Sequence, residues 1–470
     1  MRAGSVGMTS PAVWRASTRS DAKAGASQPM SGETETAARP IDTGAGRRRC
    51  SIRGSIRRIP VPTPCPPAPI QWESPVTRPH PGGIRLRPLF VWCLLHLFCA
   101  HLAAAQAPEL PADVQAEISK AVARHMIEQR IPGLSLAIGR AGHVVFTRGY
   151  GVADLEHDVP VTPTTLFRLQ STQKLLTATA VLRLAEQGRL RLDDPVQRHC
   201  PAFGVRPWPV TVAGLLTHQG GARPSDLADL FNRQHYPSVA AALRRFVRDT
   251  LAYRPGTQVL YSNAGYTLLA CAIEGVTAEP YDSALAELAL RPSGMTATRD
   301  DKAYEVTPGR ARYYMVRTAA NTEEWRGLWT EAHLAATRLD QPANADPVDP
   351  SWAAGAGSYL STPEDVVRFG LALVAGRLVR DTWIDSVFAN APLRVTGEPT
   401  GRSLGGWVLD PEGGHLARML GSTWNGSFGL ALDTREGIAV AIASNIEFDQ
   451  PAALMGELVE LVRTAGAARP

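Results

Sequence analysis

Phe167-Arg168-Leu169-Gln170-Ser171-Thr172-Gln173-Lys174 leads straight into Leu175-Leu176-Thr177-Ala178-Thr179-Ala180-Val181-Leu182. From about Ser171 to Gln187 nearly every residue is helix-compatible, and Gly188 supplies a stop. The segment is apolar on almost every side, which predicts a helix buried at the centre of the fold. Ser171 opens it, where backbone N–H groups and the macrodipole favour developing negative charge. Lys174, three residues on, shares that face one turn later. A serine hydroxyl is a weak nucleophile until a neighbouring base takes its proton. Lysine can be that base only where desolvation lowers its pKa. Beyond Ala105 the chain holds 35 basic residues, of which only Lys120, Lys174 and Lys302 are lysines. Arginine, which does not deprotonate in proteins, serves as the cation elsewhere. On spacing alone, a serine N-cap followed by a snorkelling lysine explains the pair equally well.

The second signal lies in Pro255-Gly256-Thr257-Gln258-Val259-Leu260-Tyr261-Ser262-Asn263-Ala264-Gly265-Tyr266. Tyr261-x-Asn263 on a loop offers a phenol for proton relay and an amide to hold a carbonyl, before a helix expected over Tyr266–Glu274. A tripeptide of this kind is weak alone; its weight comes from its neighbours. These are Ile131-Pro132-Gly133, Gly149-Tyr150-Gly151-Val152-Ala153-Asp154 and Leu215-Leu216-Thr217-His218-Gln219-Gly220-Gly221, with Arg291-Pro292-Ser293-Gly294-Met295 and the stretch Ala354 to Thr362 further on.

With these segments the chain resembles the serine β-lactamase and penicillin-binding protein superfamily, most of all its class C-type β-lactamase-related serine hydrolases. Leu192-Asp193-Asp194-Pro195 and Arg310-Ala311-Arg312-Tyr313-Tyr314 are similar to the mitochondrial serine β-lactamase-like branch. The likeness runs from about Asp113 to Val462. It implies an α/β (α+β) fold of the β-lactamase/transpeptidase type. An antiparallel sheet flanked by helices would form from both chain ends, with a mostly helical region of about residues 190–340 inserted between them. The active site would lie at the junction. By the same resemblance Ser171 is the nucleophile, Lys174 its base, Tyr261 a second proton-transfer group, and Asn263 a residue orienting the acyl side of the substrate.

One family motif is missing its cation. The resemblance implies Lys-x-Gly or His-x-Gly on a strand edging the site, and aligning Gly421-Ser422-Thr423 with the small residues there puts Met419 at the charged position. Methionine neither donates a hydrogen bond nor binds a carboxylate. Strand alternation turns Arg418 to the opposite face, and His415 lies four residues away, roughly 13 Å along a strand. Neither replaces it. Gly421 still allows close backbone approach, and the Ser422 amide, with that of Ser171, matches the family's oxyanion hole.

The flanks agree with a sheet built from both ends. Asp113 opens an amphipathic helix with Val114, Ile118, Val122 and Met126 on one face. Strands Leu134–Gly139 and His143–Gly149 form a hairpin through Ala141-Gly142, and Ser427–Asp433 and Gly437–Asn445 form another about Arg435-Glu436. A last helix carries Leu454, Leu458, Leu461 and Val462. Gln341–Pro350 reads as a polar loop.

Charge and composition exclude other classes. Residues 1–105 carry 14 basic and 5 acidic side chains; the rest carry 35 and 39, so the folded part is acidic and no nucleic-acid partner is expected. Residues 1–84 read as a disordered extension or an over-long start. Residues 85–105, with Arg85 and Arg87 before Leu89–Leu102 and then Ala103-Ala104-Ala105, read as a signal peptide. No stable membrane span is expected in the mature chain of residues 106–470. Cys200 and Cys271 are expected as free thiols, and His218 as a structural hydrogen-bonding residue. Trp424 reads either as lining the site entrance or as core filling. Neither metal-ligand spacing nor a nucleotide fingerprint appears, so no cofactor and no metal are expected.

These readings lead to an expected periplasmic or secreted serine hydrolase that forms an acyl-enzyme on Ser171. Its substrates would be esters, amides or D-amino-acid peptides, with β-lactams as a further class, and Met419 tilts the expectation toward an esterase or peptidase over a true lactamase. The competing class, prompted by Met419, is a catalytically weakened binding or scaffold protein that keeps the fold. Oligomeric state is not written in the sequence.

Overall fold

The computed structural model describes residues 109–467 apart from 325–330, 394, 410–414 and 424. The extension and the leader-like segment, with the four cysteines that they hold between them, and Trp424 lie outside the described residues. Helix α1 spans Ala112–Gln129. A hairpin follows, of strands β1 (Gly133–Arg140) and β2 (His143–Asp154). Its turn is Ala141-Gly142, both with positive φ (49° and 82°), which suits the twist of a two-residue hairpin. Strand β2 runs five residues past the expected end at Gly149. Strand β3 is Val159–Pro160, and the buried central helix α2 is Gln173–Glu186.

Helix α3 spans Asn263–Thr277 and α4 spans Pro363–Val374. The C-terminal part supplies β4 (Asn390–Pro392), β5 (Pro399–Ser403), β6 (Val408–Leu409), β7 (Leu416–Thr423), β8 (Gly426–Asp433), β9 (Ile438–Ser444) and α5 (Ala452–Ala467). Among the described residues nine strands form one antiparallel sheet, ordered β3-β2-β1-β9-β8-β7-β6-β5-β4. The two chain ends meet at its centre, where Leu134 pairs with Ser444 and Arg140 with Ile438.

Residue size fixes which helices cover which face. In β9, Ile438, Val440 and Ile442 pack with Leu134, Leu136 and Ile138 against Ile118, Val122, Leu454 and Leu458 of α1 and α5. The alternate residues Ala439, Ala441 and Ala443 join Ala137 on the other face, with Val366, Val367 and Leu371 of α4. This follows from the two-residue period of a strand. Small side chains let α4 sit close: a Cβ at Gly139 would lie 2.6 Å from Val367 and Leu371 side chains.

Three expectations are corrected. Cys200 and Cys271 are joined in a disulfide, not free (Cα–Cα 5.5 Å). The sequence holds them 71 positions apart and says nothing of their distance. The fold presses the Cys200 loop onto α3 so closely that a Cβ at Gly275 would lie 1.8 Å from the His199 carbonyl oxygen. Asn263 begins α3 instead of sitting in a loop, because Ser262 caps the helix by accepting from the Gly265 N–H. Within Gln341–Pro350, residues Pro342–Asn344 form a short strand paired with Tyr314–Val316.

Closing a loop of this length removes about 4 kcal/mol of chain entropy from the unfolded state. A Cys200→Ser, Cys271→Ser protein is therefore expected to melt well below the oxidised protein. Calorimetry with and without reductant checks this, and equal melting temperatures would refute it.

Candidate active site

The nucleophile candidate sits on a 3-10 turn, Gln170–Thr172, and the α-helix proper begins at Gln173. This shifts the helix start expected at Ser171 by two residues. Gln170 adopts φ 49°, a conformation costly for a non-glycine residue. The surroundings enforce it. The Gln170 side-chain amide donates to the Asn425 carbonyl (2.8 Å), the Leu169 N–H donates to the Tyr359 carbonyl (2.8 Å), and Thr172 Oγ1 donates to the Phe428 carbonyl (2.7 Å). Gly357 and Gly421 press on the same turn: a Cβ at Gly421 would stand 2.4 Å from Ser171 N. The bent turn leaves Ser171 partly accessible at the start of a buried helix.

Lys174 is fully buried, and its Nζ lies 3.2 Å from Ser171 Oγ, 2.7 Å from Asn263 Oδ1 and 2.8 Å from the Ala356 carbonyl oxygen. No acidic side chain among the described residues pairs with it. Burial, and then the nearby positive charge of Arg402, push its pKa well below the usual lysine range. A neutral amine has two N–H donors and one lone pair. Asn263 Oδ1 and the Ala356 carbonyl take the two donors, and the lone pair faces the Ser171 hydroxyl. Asn263 Nδ2 donates to Ser225 Oγ (2.8 Å), which keeps the amide oxygen turned to Lys174.

The Tyr261 hydroxyl donates to Ser171 Oγ at 2.5 Å. Burial pushes its pKa up to about 12, so at neutral pH it is a proton donor, not a base. Of the trio, Lys174 is the group whose lowered pKa suits a base. His218 backs Tyr261, its ring centroid 4.5 Å from the phenol ring, and its Nδ1 accepts from the Ser262 N–H. Burial lowers its pKa far below the ordinary histidine value, which keeps the imidazole neutral. Its structural role is as expected.

The structure thus brings together Ser171, Lys174, Tyr261 and Asn263, with Gly421 against the Ser171 amide. Ser422 follows on β7, its Oγ hydrogen-bonded to Ser427 Oγ (2.7 Å). Met419 is buried in the main core cluster, not at an open charged position. Sequence reasoning missed Arg402 of β5, whose Cζ lies 5.9 Å from the Tyr261 ring centroid. It also missed Ser225 and the backbone of Ala356. No signal in the sequence marks Arg402 among so many arginines. Among the described residues, one trio, Asp154, Glu156 and His157, stands close enough to share a metal ion. Asp154 and Glu156 are paired with Arg312, and none of the three belongs to this site.

Protein flp of Staphylococcus aureus (strain N315) is 33% identical over 196 residues, 40% of this chain and 39% of that protein. The human mitochondrial serine beta-lactamase-like protein LACTB is 24% identical over 323 residues, 54% of this chain and 55% of that protein. The chain thus spans about two fifths to just over half of these relatives. Two solved structures share the fold. D-amino acid amidase from Ochrobactrum anthropi SV3 complexed with D-phenylalanine matches with TM-score 0.62 at 24% identity, covering 76% of this chain and 100% of that one. The octameric penicillin-binding protein homologue from Pyrococcus abyssi matches with TM-score 0.60 at 24% identity, covering 75% and 77%. The Beta-lactamase family model matches residues 118–464, and the chain, with its serine on the turn that leads into the buried helix of its lysine, belongs to that family.

Proposed function

We propose that the protein is a serine hydrolase that forms an acyl-enzyme on Ser171. The observation that carries this reading is the buried, acid-free Lys174 amine 3.2 Å from Ser171 Oγ. Ser171 Oγ attacks a substrate carbonyl as its proton passes to Lys174. The Ser171 and Ser422 amides receive the developing oxyanion. Tyr261 protonates the leaving atom and regains a proton from Lys174, so the net transfer is from Ser171 to the leaving group. Asn263 holds the amine and borders the acyl side of the substrate. Water then opens the acyl-enzyme by the same route in reverse.

Esters, amides and D-amino-acid peptides are the proposed substrates. The fold shared with D-amino acid amidase supports amides of D-amino acids within that class. Export to the periplasm or medium is part of the proposal, supported by the Cys200–Cys271 disulfide, a bond favoured in oxidising compartments. The N-terminal residue of protein recovered from cells tests export.

A fluorophosphonate probe tests the chemistry. Intact protein is expected to be labelled on Ser171, and Ser171→Ala to lose all labelling. Well-folded wild-type protein that resists both this probe and penicillin would instead favour a binding or scaffold role.

A further inference from the structure

Of the two oxygens that hold the Lys174 amine, the Ala356 carbonyl is a main-chain atom, so it can be no better placed than the loop of residues 354–358 that carries it. Helix α2 grips that loop on both sides of Ala356. On one side the Thr177 hydroxyl donates to the Gly355 carbonyl (2.6 Å); on the other the Ser358 N–H donates to Gln173 Oε1 (2.5 Å). Gln173 and Thr177 are four residues apart and share one face of the helix. Tyr281, which opens the short helix Tyr281–Leu285, lies between them, its hydroxyl 2.7 Å from Thr177 Oγ1 and 3.5 Å from Gln173 Nε2. All three side chains and Ser358 are buried.

Hydrogen counting fixes the direction of every link. A backbone carbonyl only accepts, so the single Thr177 hydroxyl hydrogen goes to Gly355, and the Tyr281 hydroxyl must donate to Thr177 Oγ1. A backbone N–H only donates, so Gln173 turns its amide oxygen to Ser358 and its nitrogen to Tyr281. Burial holds the Tyr281 pKa above the ordinary phenol value, so the hydroxyl keeps the proton this needs. The links run from the Ser358 N–H through Gln173, Tyr281 and Thr177 to the Gly355 carbonyl, a circuit that starts and ends on one loop. Apolar side chains of similar shape would fill the same space without desolvating these groups; what the polar set adds is a fixed loop position. We propose that Gln173, Thr177 and Tyr281 are positioning residues, whose circuit fixes the Ala356 carbonyl against the Lys174 amine and so aims the amine's lone pair at Ser171. With Asn263 Oδ1 and the Ala356 carbonyl both in place, the two hydrogens of the neutral amine are committed and its lone pair has one direction left. The effect on acyl transfer rests on the proposed hydrolase reading; the hold on the amine does not.

The amine can be followed directly. The full chain holds four lysines, Lys23, Lys120, Lys174 and Lys302, so carbon-13 NMR of protein labelled at lysine Cε reads each titration, and the Lys174 signal is the one lost in Lys174→Met. Thr177→Val keeps the shape of the side chain and removes the hydroxyl. A carbonyl acceptor stabilises an ammonium more than an amine, so loosening Ala356 is expected to move the Lys174 titration to still lower pH. Thr177→Ser, which retains the hydroxyl, should bring it back toward wild type. Tyr261, Tyr266, His218 and Arg402, the titratable and charged groups around the amine, are the same in all these proteins. A role confined to folding would lower the melting temperature and leave this titration where it is. In parallel, fluorophosphonate labelling of Ser171 should slow roughly tenfold to a hundredfold in Thr177→Val, the scale of a misplacement of about 1 Å. Tyr281→Phe breaks the circuit in its middle and replaces Thr177→Val if circular dichroism shows the latter unfolded. A Lys174 titration that stays put or rises in the folded variant overturns the proposal. A titration that moves as expected, in a protein whose wild type no serine probe labels, would overturn the hydrolase reading and leave the positioning circuit standing.

Discussion

Lys174→Arg is expected to lower kcat by roughly 10³ or more, although it keeps a cation at the same place. In the proposed reaction the wild-type amine serves by being uncharged part of the time. Its cavity is fully buried, holds no carboxylate partner among the described residues, and lies near the positive charge of Arg402. Such a setting penalises the ammonium form. A guanidinium there would stay protonated and could not accept the Ser171 proton. Lys174→Met, close in volume and without charge, separates loss of the base from overpacking; both variants should fail. Arginine within tenfold of wild type would remove Lys174 from the base role.

The pH profile carries the same claim with its sign. Lowering the Lys174 pKa means that the neutral, proton-accepting form persists to pH values well below the usual lysine range. Activity should rise with pH through that depressed pKa, plateau above it, and fall only as Tyr261 ionises near 12. An ascending limb at the ordinary lysine pKa would contradict the burial argument.

Much of this site was legible in the sequence because its parts are local. Ser171 and Lys174 are three residues apart across the start of one helix, and Tyr261 and Asn263 two apart at the start of another, so each pair is a local motif on which the family resemblance could be read. The sheet was legible for a similar reason, since branched residues and alanines alternate along β9. The failures are long-range. The Cys200–Cys271 contact depends on how a loop packs on α3, and Arg402 reaches Tyr261 only because β5 lies two strands from β7. Local pattern carries no information about either. The strained Gln170 is a third case: glutamine is not a residue that favours positive φ, so its conformation is imposed by Gly357, Gly421 and Asn425, all distant in sequence.

Gly421→Ala tests how far that imposed turn matters to chemistry. Its backbone is not in the left-handed region, so the demand for glycine is one of space. A Cβ there would meet Ser171 N at 2.4 Å, Gln170 Cβ at 2.5 Å and the Leu169 carbonyl oxygen at 2.8 Å. Two of the three are backbone atoms of the nucleophile's own turn, and they cannot swing aside as a side-chain end can. Either β7 withdraws or the turn shifts, and both separate the Ser171 and Ser422 amides that would share the oxyanion. Displacement by about 1 Å costs on the order of a hundredfold, and losing an oxyanion donor costs about 10² to 10³. The expected result is a loss of roughly 10² to 10³ in kcat/KM. Gly429→Ala is the matched control, one strand away and opposite Leu420. Its Cβ would meet the flexible end of Met455, at 2.9 Å from the sulfur, so accommodation there should leave turnover within a few-fold of wild type. If Gly421→Ala turned over as fast as Gly429→Ala, close contact between β7 and the Ser171 turn would have no catalytic part.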